Sequence, residues 1–245
     1  MNLLRGPALC YKYHGLGNDF LLFDKVSPVL NCEYIKKLCH RRFGIGADGL
    51  IFLEHQSDGV IRMRFFNSDG KKANFCGNAT RVVFAHLGGG YSSIITDAGP
   101  IDGFLKKDGI HVKMPKATII KESQNITEIF CGVMHAFVSV DRIYSDYERV
   151  KKLRDELDCN VSFVKKQSQN MYEMLTFEKG VENFTFACGS AAAAFAFYKL
   201  NLQVERIMTV SMKGGMLRFY HDIDGALWMV GRATKIGSIE IDENF

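Results

Sequence analysis

Two junctions in this chain read alike, and together they limit what it can fold into. Residues 74–90 are NFCGNATRVVFAHLGGG and residues 184–200 are FTFACGSAAAAFAFYKL. In each, a Cys-Gly pair stands between an apolar strand-like stretch and a helix-like one. What precedes them also repeats. From Tyr34 the sequence predicts a helix (YIKKLCHRRF), strands GLIFLE and VIRMRFFN, a turn SDG and a strand KKANF, ending at Cys76. From Tyr147 it predicts a helix (YERVKKLRDEL), strands NVSFVKK and YEMLTF, a turn EKG and a strand NFTFA, ending at Cys188. Tyr34 stands 42 residues before Cys76, and Tyr147 stands 41 before Cys188. A shared order at shared spacing is the mark of an internal duplication of one α/β unit.

The 245 residues suffice for one large domain or two of about 120. The duplication selects two halves, expected at 1–115 and 116–232. The second helix, from Ser190 to about Leu200, is apolar almost all round until Lys199, so each half should enclose a central helix within its own sheet. Segment 99–117 is strand-like with turn signals, with Pro115 as the crossover, and the C-terminus from Val210 supplies further short strands.

Net charge is +4, from 31 Lys and Arg against 27 Asp and Glu, without a basic block. This favours a small or acidic ligand and speaks against nucleic acid. No apolar run approaches the ~18 residues of a membrane span, and the first fifteen residues hold no secretory h-region. The expectation is a cytoplasmic protein without membrane attachment.

The seven cysteines are scattered, with no C-x-x-C pair, which argues against a metal site or a disulfide framework. Cys10, Cys131 and Cys159 read as small buried hydrophobes, as do Cys32 and Cys39, seven apart on one helix face. Cys76 and Cys188 differ, because each opens a helix. The first helical N–H groups lack intrahelical partners and carry partial positive charge, so a thiolate is favoured there. Such settings lower a cysteine pKa from about 8.5 to ~3.5–7.5. The N–H groups of Gly77, Asn78, Gly189 and Ser190 could hold a carboxylate. An amino acid placed between the two starts would have one sulfur on each face of its α-carbon. One thiolate would then remove the α-proton and the other thiol return a proton to the opposite face. No sequence sign of a pyridoxal site or phosphate loop is present, so the expected chemistry needs no cofactor. A redox dithiol is the competing reading of the same pair.

Five blocks, HGLGNDFLLFD (14–24), RRFGIGADGLIFLE (41–54), MRFFNSDGKKANFCGNATR (63–81), NVSFV (160–164) and FEKGVENFTFACGS (177–190), resemble in order and spacing the motifs of diaminopimelate epimerase. The resemblance implies two similar halves around central helices, a cleft between them holding the active site, a last strand (237–242, within about 233–245) returning to the first half, and cofactor-free epimerisation of L,L- to meso-diaminopimelate for lysine and peptidoglycan synthesis. Carried over residue by residue, it makes Cys76 and Cys188 the acid–base pair, supported by Glu178 and His135. Gly77, Asn78, Gly189 and Ser190 would bind the reacting carboxylate. Asn18, Asn67 and Asn160 would orient the substrate, with Lys179 at the distal end. Without the resemblance, His135 reads as a half-buried strand residue, and Asn67 and Asp69 as turn formers.

The chain departs from the family pattern in four places. Val133-Met134 replaces an Asn-Pro before the histidine, Lys179 replaces an arginine, Ala191 replaces a glycine, and Gly77-Asn78-Ala79-Thr80 replaces Gly-Asn-Gly-Ala. The departures keep a same-fold racemase for another amino acid open, and a redox-sensing or binding protein remains the non-enzyme alternative. The expected partner is a small-molecule substrate, with a homodimer left open.

Overall fold

The computed structural model describes residues 8–24, 31–90, 92–143, 146–201, 207–242 and 245. Its elements follow local chemistry. Asp146 accepts a hydrogen bond from the Arg149 N–H at 3.1 Å and so caps the helix Tyr147–Leu157, which Asp158 closes in a left-handed conformation (φ 49°). Asn31 does the same for Cys32–Cys39 through the Tyr34 N–H at 2.8 Å. This helix stops four residues short of the predicted end at Phe43. His40 leaves helical geometry, and its Nδ1 accepts from the N–H groups of Arg42 and Phe43 at 3.1 and 3.0 Å, offering the backbone a turn in place of another helical step.

The chain divides into two units, one of Met1–Ile110 with Arg232–Phe245, the other of His111–Gly231. The first runs β1 (Ala8–Gly15), β2 (Asn18–Asp24), α1 (Cys32–Cys39), β3 (Gly49–His55), β4 (Ile61–Asn67), β5 (Lys72–Ala73), α2 (Gly77–Leu87), β6 (Ser93–Thr96), β7 (Gly99–Lys106) and the start of β8 (Gly109–Lys113). The second runs β9 (Thr118–Glu122), β10 (Ile126–Cys131), β11 (Val133–Ser139), α3 (Tyr147–Leu157), β12 (Asn160–Lys166), β13 (Met171–Glu178), β14 (Asn183–Phe184), α4 (Gly189–Asn201), β15 (Ile207–Met212), β16 (Gly215–His221) and β17 (Leu227–Gly231). The last strand, β18 (Thr234–Ile241), belongs to the first unit and lies antiparallel to β1 from Ala8↔Ile241 to His14↔Thr234.

The two sheets repeat one pairing scheme. In the first unit β1 is antiparallel to β2, β2 parallel to β3, β3 antiparallel to β4, β4 antiparallel to β5 and parallel to β6, and β6 antiparallel to β7. In the second, β10, β11, β12, β13, β14, β15 and β16 pair in the same senses. The edge strand also recurs, as β9 flanks β10 the way β18 flanks β1. The ladders fix the correspondence. Phe20 pairs with Gly49 and Gly49 with Asn67, while His135 pairs with Asn160 and Val161 with Phe177, which sets Glu178 beside Asn160. Asn67 therefore answers to Glu178, Phe20 to His135, and Asn18, two residues before Phe20, to Val133.

Each unit is a mixed sheet on a central helix. In α2 every residue from Gly77 to Phe84 is buried, and in α4 Ala191–Phe195 are at most 3% exposed. Alanine suits such a site, because it carries the highest helix propensity and lets strands approach closely. A helix buried all round draws its stability from that packing. Smaller cores lie under α1, around Ile35, Leu38, Phe23 and Phe52, and under α3, around Val150, Phe163 and Phe177.

The strands before the two helices are shorter than the sequence suggests, two residues each, because the chain must leave the ladder to start the helix. Cys10, Cys39, Cys131 and Cys159 are buried, but Cys32 is exposed. It occupies the first turn of α1, and its Sγ donates to the Gly70 carbonyl at 3.3 Å, so its side chain tethers the β4–β5 turn instead of filling a core.

Candidate active site

In the first unit the candidate site grows from the start of α2. Cys76 is its N-cap residue in extended conformation (φ −147°), and its carbonyl accepts both the N–H and the hydroxyl of Thr80 at 2.9 Å. Cys76 thereby stands at the start of the helix, next to its first N–H groups, those of Gly77 and Asn78. Asn67 lies at the end of β4 on the exposed rim of a turn held by Asn67 N–H to Lys71 O and Gly70 N–H to Asn67 O, both 2.9 Å. Asp69 serves that turn by accepting from the Lys71 N–H at 2.9 Å.

The structure ties Asn18 to Asn78 directly. Asn78 Nδ2 donates to Asn18 Oδ1 at 3.0 Å, and Asn18 Nδ2 donates to Asp48 Oδ2 at 2.8 Å. Behind them, Arg81 donates from Nη2 to Asn78 Oδ1 at 2.9 Å, and Arg41 bridges Asp48 and Asp19 at 2.6–2.7 Å. Lys12 closes the cluster on Asp19 at 2.6 Å. Burial opposes ionisation of Asp19, but the hydrogen bonds from Arg41 and Lys12 outweigh it and hold its carboxyl down at about 2.

In the second unit Cys188 opens α4. It is buried, its carbonyl accepts the Ala192 N–H at 3.0 Å, and its Sγ lies 3.5 Å from Ser190 Oγ. Glu178, at the end of β13, accepts a short hydrogen bond from the Thr185 hydroxyl, which joins it to the segment leading into Cys188. Asn160 Oδ1 accepts the Lys179 N–H at 2.8 Å, so Asn160 shapes the turn after Glu178. The Lys179 ammonium is engaged by Asp158, 2.7 Å from Oδ2 and 3.2 Å from its carbonyl oxygen.

His135 is fully buried beside Asn160 in the parallel ladder, with its ring stacked on Phe137. Neither ring nitrogen has a hydrogen-bond partner among the described residues. Burial pushes its pKa down to about 3. A histidine depressed in this way binds fewer protons folded than unfolded, so stability is fully present above the unfolded value and falls as pH drops below about 6.5. We expect the His135 imidazole to stay neutral from pH 8 down to pH 5 in nitrogen-15 NMR spectra. A titration midpoint above 6 would show that the ring is solvated or paired with an acid.

The structure thus joins Asn18 to Asn78, and Asn160 to the backbone of Lys179 beside Glu178 and His135, while Asn67 is exposed at the end of β4, paired in the ladder with Gly49, which follows Asp48. Among the described residues no group of three His, Cys, Asp or Glu side chains is arranged to hold a metal ion, and no helix is long and apolar enough to cross a membrane.

Residues 10–120 match the family model described as Diaminopimelate epimerase. A diaminopimelate epimerase from Methanocella arvoryzae is 33% identical over 96% of this chain and 96% of its own length. One from Campylobacter lari is 32% identical over 96% of this chain and 98% of its own length. This chain belongs to the diaminopimelate epimerase family. It is accordingly a member of a family of isomerases. Among solved structures, a hydroxyproline epimerase from Agrobacterium vitis aligns with a TM-score of 0.72 at 11% identity, covering 98% of this chain and 94% of that one. A phenazine biosynthesis protein of the PhzF family from Enterococcus faecalis aligns with 0.73 at 15% identity, covering 96% and 99%. At such identities the likeness is one of fold: a mixed, sheet-dominated α/β architecture shared by this diaminopimelate epimerase family member and more distant proteins.

Sequence reading missed the support behind Asn18 and Asn78. The signal was an arginine standing as the one charge in the run NATRVVFA, and an aspartate inside GIGADG. A charge placed where a helix should be buried is either paired or functional.

Proposed function

We propose that the chain interconverts L,L- and meso-diaminopimelate without a cofactor, with Cys76 and Cys188 as the acid–base pair, in a cytoplasmic route to lysine and peptidoglycan. The observation that carries this reading is the recurrence of one Cys-Gly helix start at the same place in two sheets of identical pairing scheme. A duplication that preserves a thiol at both starts is economical if the thiols serve opposite faces of one carbon.

In this reading a single small molecule engages both helix starts. Its reacting carboxylate rests on the N–H groups of Gly77, Asn78, Gly189 and Ser190, where helix starts favour an anion. One cysteine, as thiolate, takes the α-proton and becomes a thiol. The other gives its proton to the opposite face and becomes a thiolate, so that charge and protons balance and the roles exchange for the reverse reaction. The carboxylate gains enolate character as the C–H bond breaks, and the aligned N–H groups stabilise that charge. Glu178, held by Thr185, and neutral His135 support the thiols, and Asn18, Asn67 and Asn160 orient the substrate.

A second reading is favoured by one observation. The distal position of Lys179 is already engaged with Asp158, and Val133 brings no amide, so a same-fold racemase for a smaller amino acid would lose nothing there. The test is incubation of the full chain with L,L-diaminopimelate under reducing conditions, with no added cofactor and with a chelator present. We expect the meso isomer to accumulate to equilibrium. Conversion of a monocarboxylic amino acid in its stead would favour the second reading, and no conversion of either would overturn both.

A further inference from the structure

The polar chain behind the first helix start has an unusual property: both of its ends have a fixed direction. An arginine nitrogen can only donate and an ionised carboxylate oxygen can only accept, whereas an asparagine amide can be turned either way. Arg81 Nη2 faces Asn78 at 2.9 Å, so the atom it meets is Oδ1. That leaves Asn78 Nδ2 to donate to Asn18 Oδ1 at 3.0 Å, and Asn18 Nδ2 to donate to Asp48 Oδ2 at 2.8 Å. Reversing either amide would set two donors or two acceptors against each other at both ends.

The clamps themselves are held. Arg81 is completely buried in α2, and the end of β1 lies against it so closely that a Cβ on Gly15 would come within 3.0 Å of Nη2. Asp48 receives the Asp19 N–H at 3.1 Å on the oxygen that faces Asn18, and Arg41 at 2.6 Å on the other. Taking a guanidinium out of water costs several kcal/mol unless its neighbourhood uses the charge. Here it stands one helical turn beyond Cys76 and Gly77, on the same helix start.

We propose that Arg81 and Asp48 are positioning residues of the first half-site: as a fixed donor and a fixed acceptor, they lock the Asn78 and Asn18 amides so that Asn18 presents an amide hydrogen, not its oxygen, to a substrate carboxylate. The inference rests on the proposed function, since it takes the Asn18 amide as a substrate contact. An amide oxygen turned toward a carboxylate would repel it, so the locked orientation matters to binding in a way that ordinary packing does not.

The experiment uses Arg81→Met, Arg81→Lys and Asp48→Ala in the full chain. With L,L-diaminopimelate we expect KM to rise at least tenfold in Arg81→Met and Asp48→Ala while kcat changes by less than threefold, and Arg81→Lys, which keeps a donor, to recover most of the KM. A purely structural role would lower the folded fraction and hence apparent kcat, leaving KM unmoved. KM within twofold of wild type in both variants would overturn the inference. Should Arg81→Met not fold, Asp48→Ala decides, because Asp48 is partly exposed. Side-chain amide resonances of selectively labelled asparagine are read in parallel. Asn18 should shift in Asp48→Ala and Asn78 in the Arg81 variants, and unmoved resonances would refute the clamp. If wild type fails to epimerise but the resonances shift, the fault lies in the proposed substrate and not in the clamp.

Discussion

Alanine at either Cys76 or Cys188 is expected to lower epimerisation of L,L-diaminopimelate by about 10²–10⁴-fold, the range a positioned general acid or base contributes. The backbone that starts each helix does not depend on the sulfur: the carbonyls of Cys76 and Cys188, which accept from Thr80 and Ala192, remain in the variants. Folding and carboxylate binding should therefore survive, and the loss should fall on kcat. The two variants should also fail differently. Each retains one sulfur on one face, so in deuterated water each should still exchange the α-hydrogen of one isomer while losing the ability to invert it. In the wild type, early product should carry solvent deuterium and recovered substrate almost none, because the proton returned comes from the second thiol. Full activity in Cys188→Ala, or equal early labelling of both isomers in the wild type, would mean that a single base works on both faces and that the duplicated helix start has another purpose.

The largest stability effect is expected at Gly44. The segment after α1 folds back on the helix end: Gly44 N–H donates to His40 O, and both Ile45 N–H and Gly46 N–H donate to Leu38 O, all at 3.0 Å. A Cβ on Gly44 would fall 2.0 Å from the Lys37 carbonyl oxygen and 2.7 Å from that of Leu38. These are backbone atoms of a helix, which cannot swing aside as a side-chain tip can. Overpacking usually costs about 1–3 kcal/mol, and a backbone clash belongs at the top of that range or above. For a chain of this size each kcal/mol shifts Tm by about 2–4 °C, so Gly44→Ala should melt about 6–12 °C lower. Gly59→Ala is the control. Its φ of +83° makes a side chain strained, but nothing lies within 4 Å, so only the backbone term of about 1–2 kcal/mol applies. A Gly44→Ala shift below 2 °C in thermal unfolding would show that the fold-back segment yields. The same variant should also loosen Asp48, four residues on, which ties the stability of this segment to the first half-site.

What could be read from the sequence was what repeats or has a strong local period. The helix 147–157 and the strand 160–166 appear with the predicted bounds, because a capping aspartate and a β-rich run define them locally. The enclosed helix 189–201 was legible from its alanines. Bounds set by tertiary geometry were not legible. The stretches KKANF and NFTFA have strand-like side chains throughout, yet pair over two residues, since where a chain leaves a sheet depends on where the next helix must begin. Cys32 misled for a related reason: its spacing from Cys39 fits one helix face, but it lies in the first turn, beyond the edge of the core. At the candidate site, residue types came from motifs, while the direction of each amide came only from Arg81 and Asp48, which no motif reading singles out.

The return of β18 to β1 has a consequence for how this protein is born. His111–Gly231 is one continuous stretch, so its sheet can close while the chain is still being synthesised. The other unit cannot. Its strand β1 pairs on one side with β2 and on the other with residues 234–241, which are translated only after the whole of the other unit. For most of translation β1 is an open edge, able to recruit a strand from another nascent chain. The half that holds Cys76 therefore cannot complete its sheet until the half that holds Cys188 has been made, and a chain stopped before residue 234 would leave β1 without its outer partner while leaving the half that holds Cys188 whole.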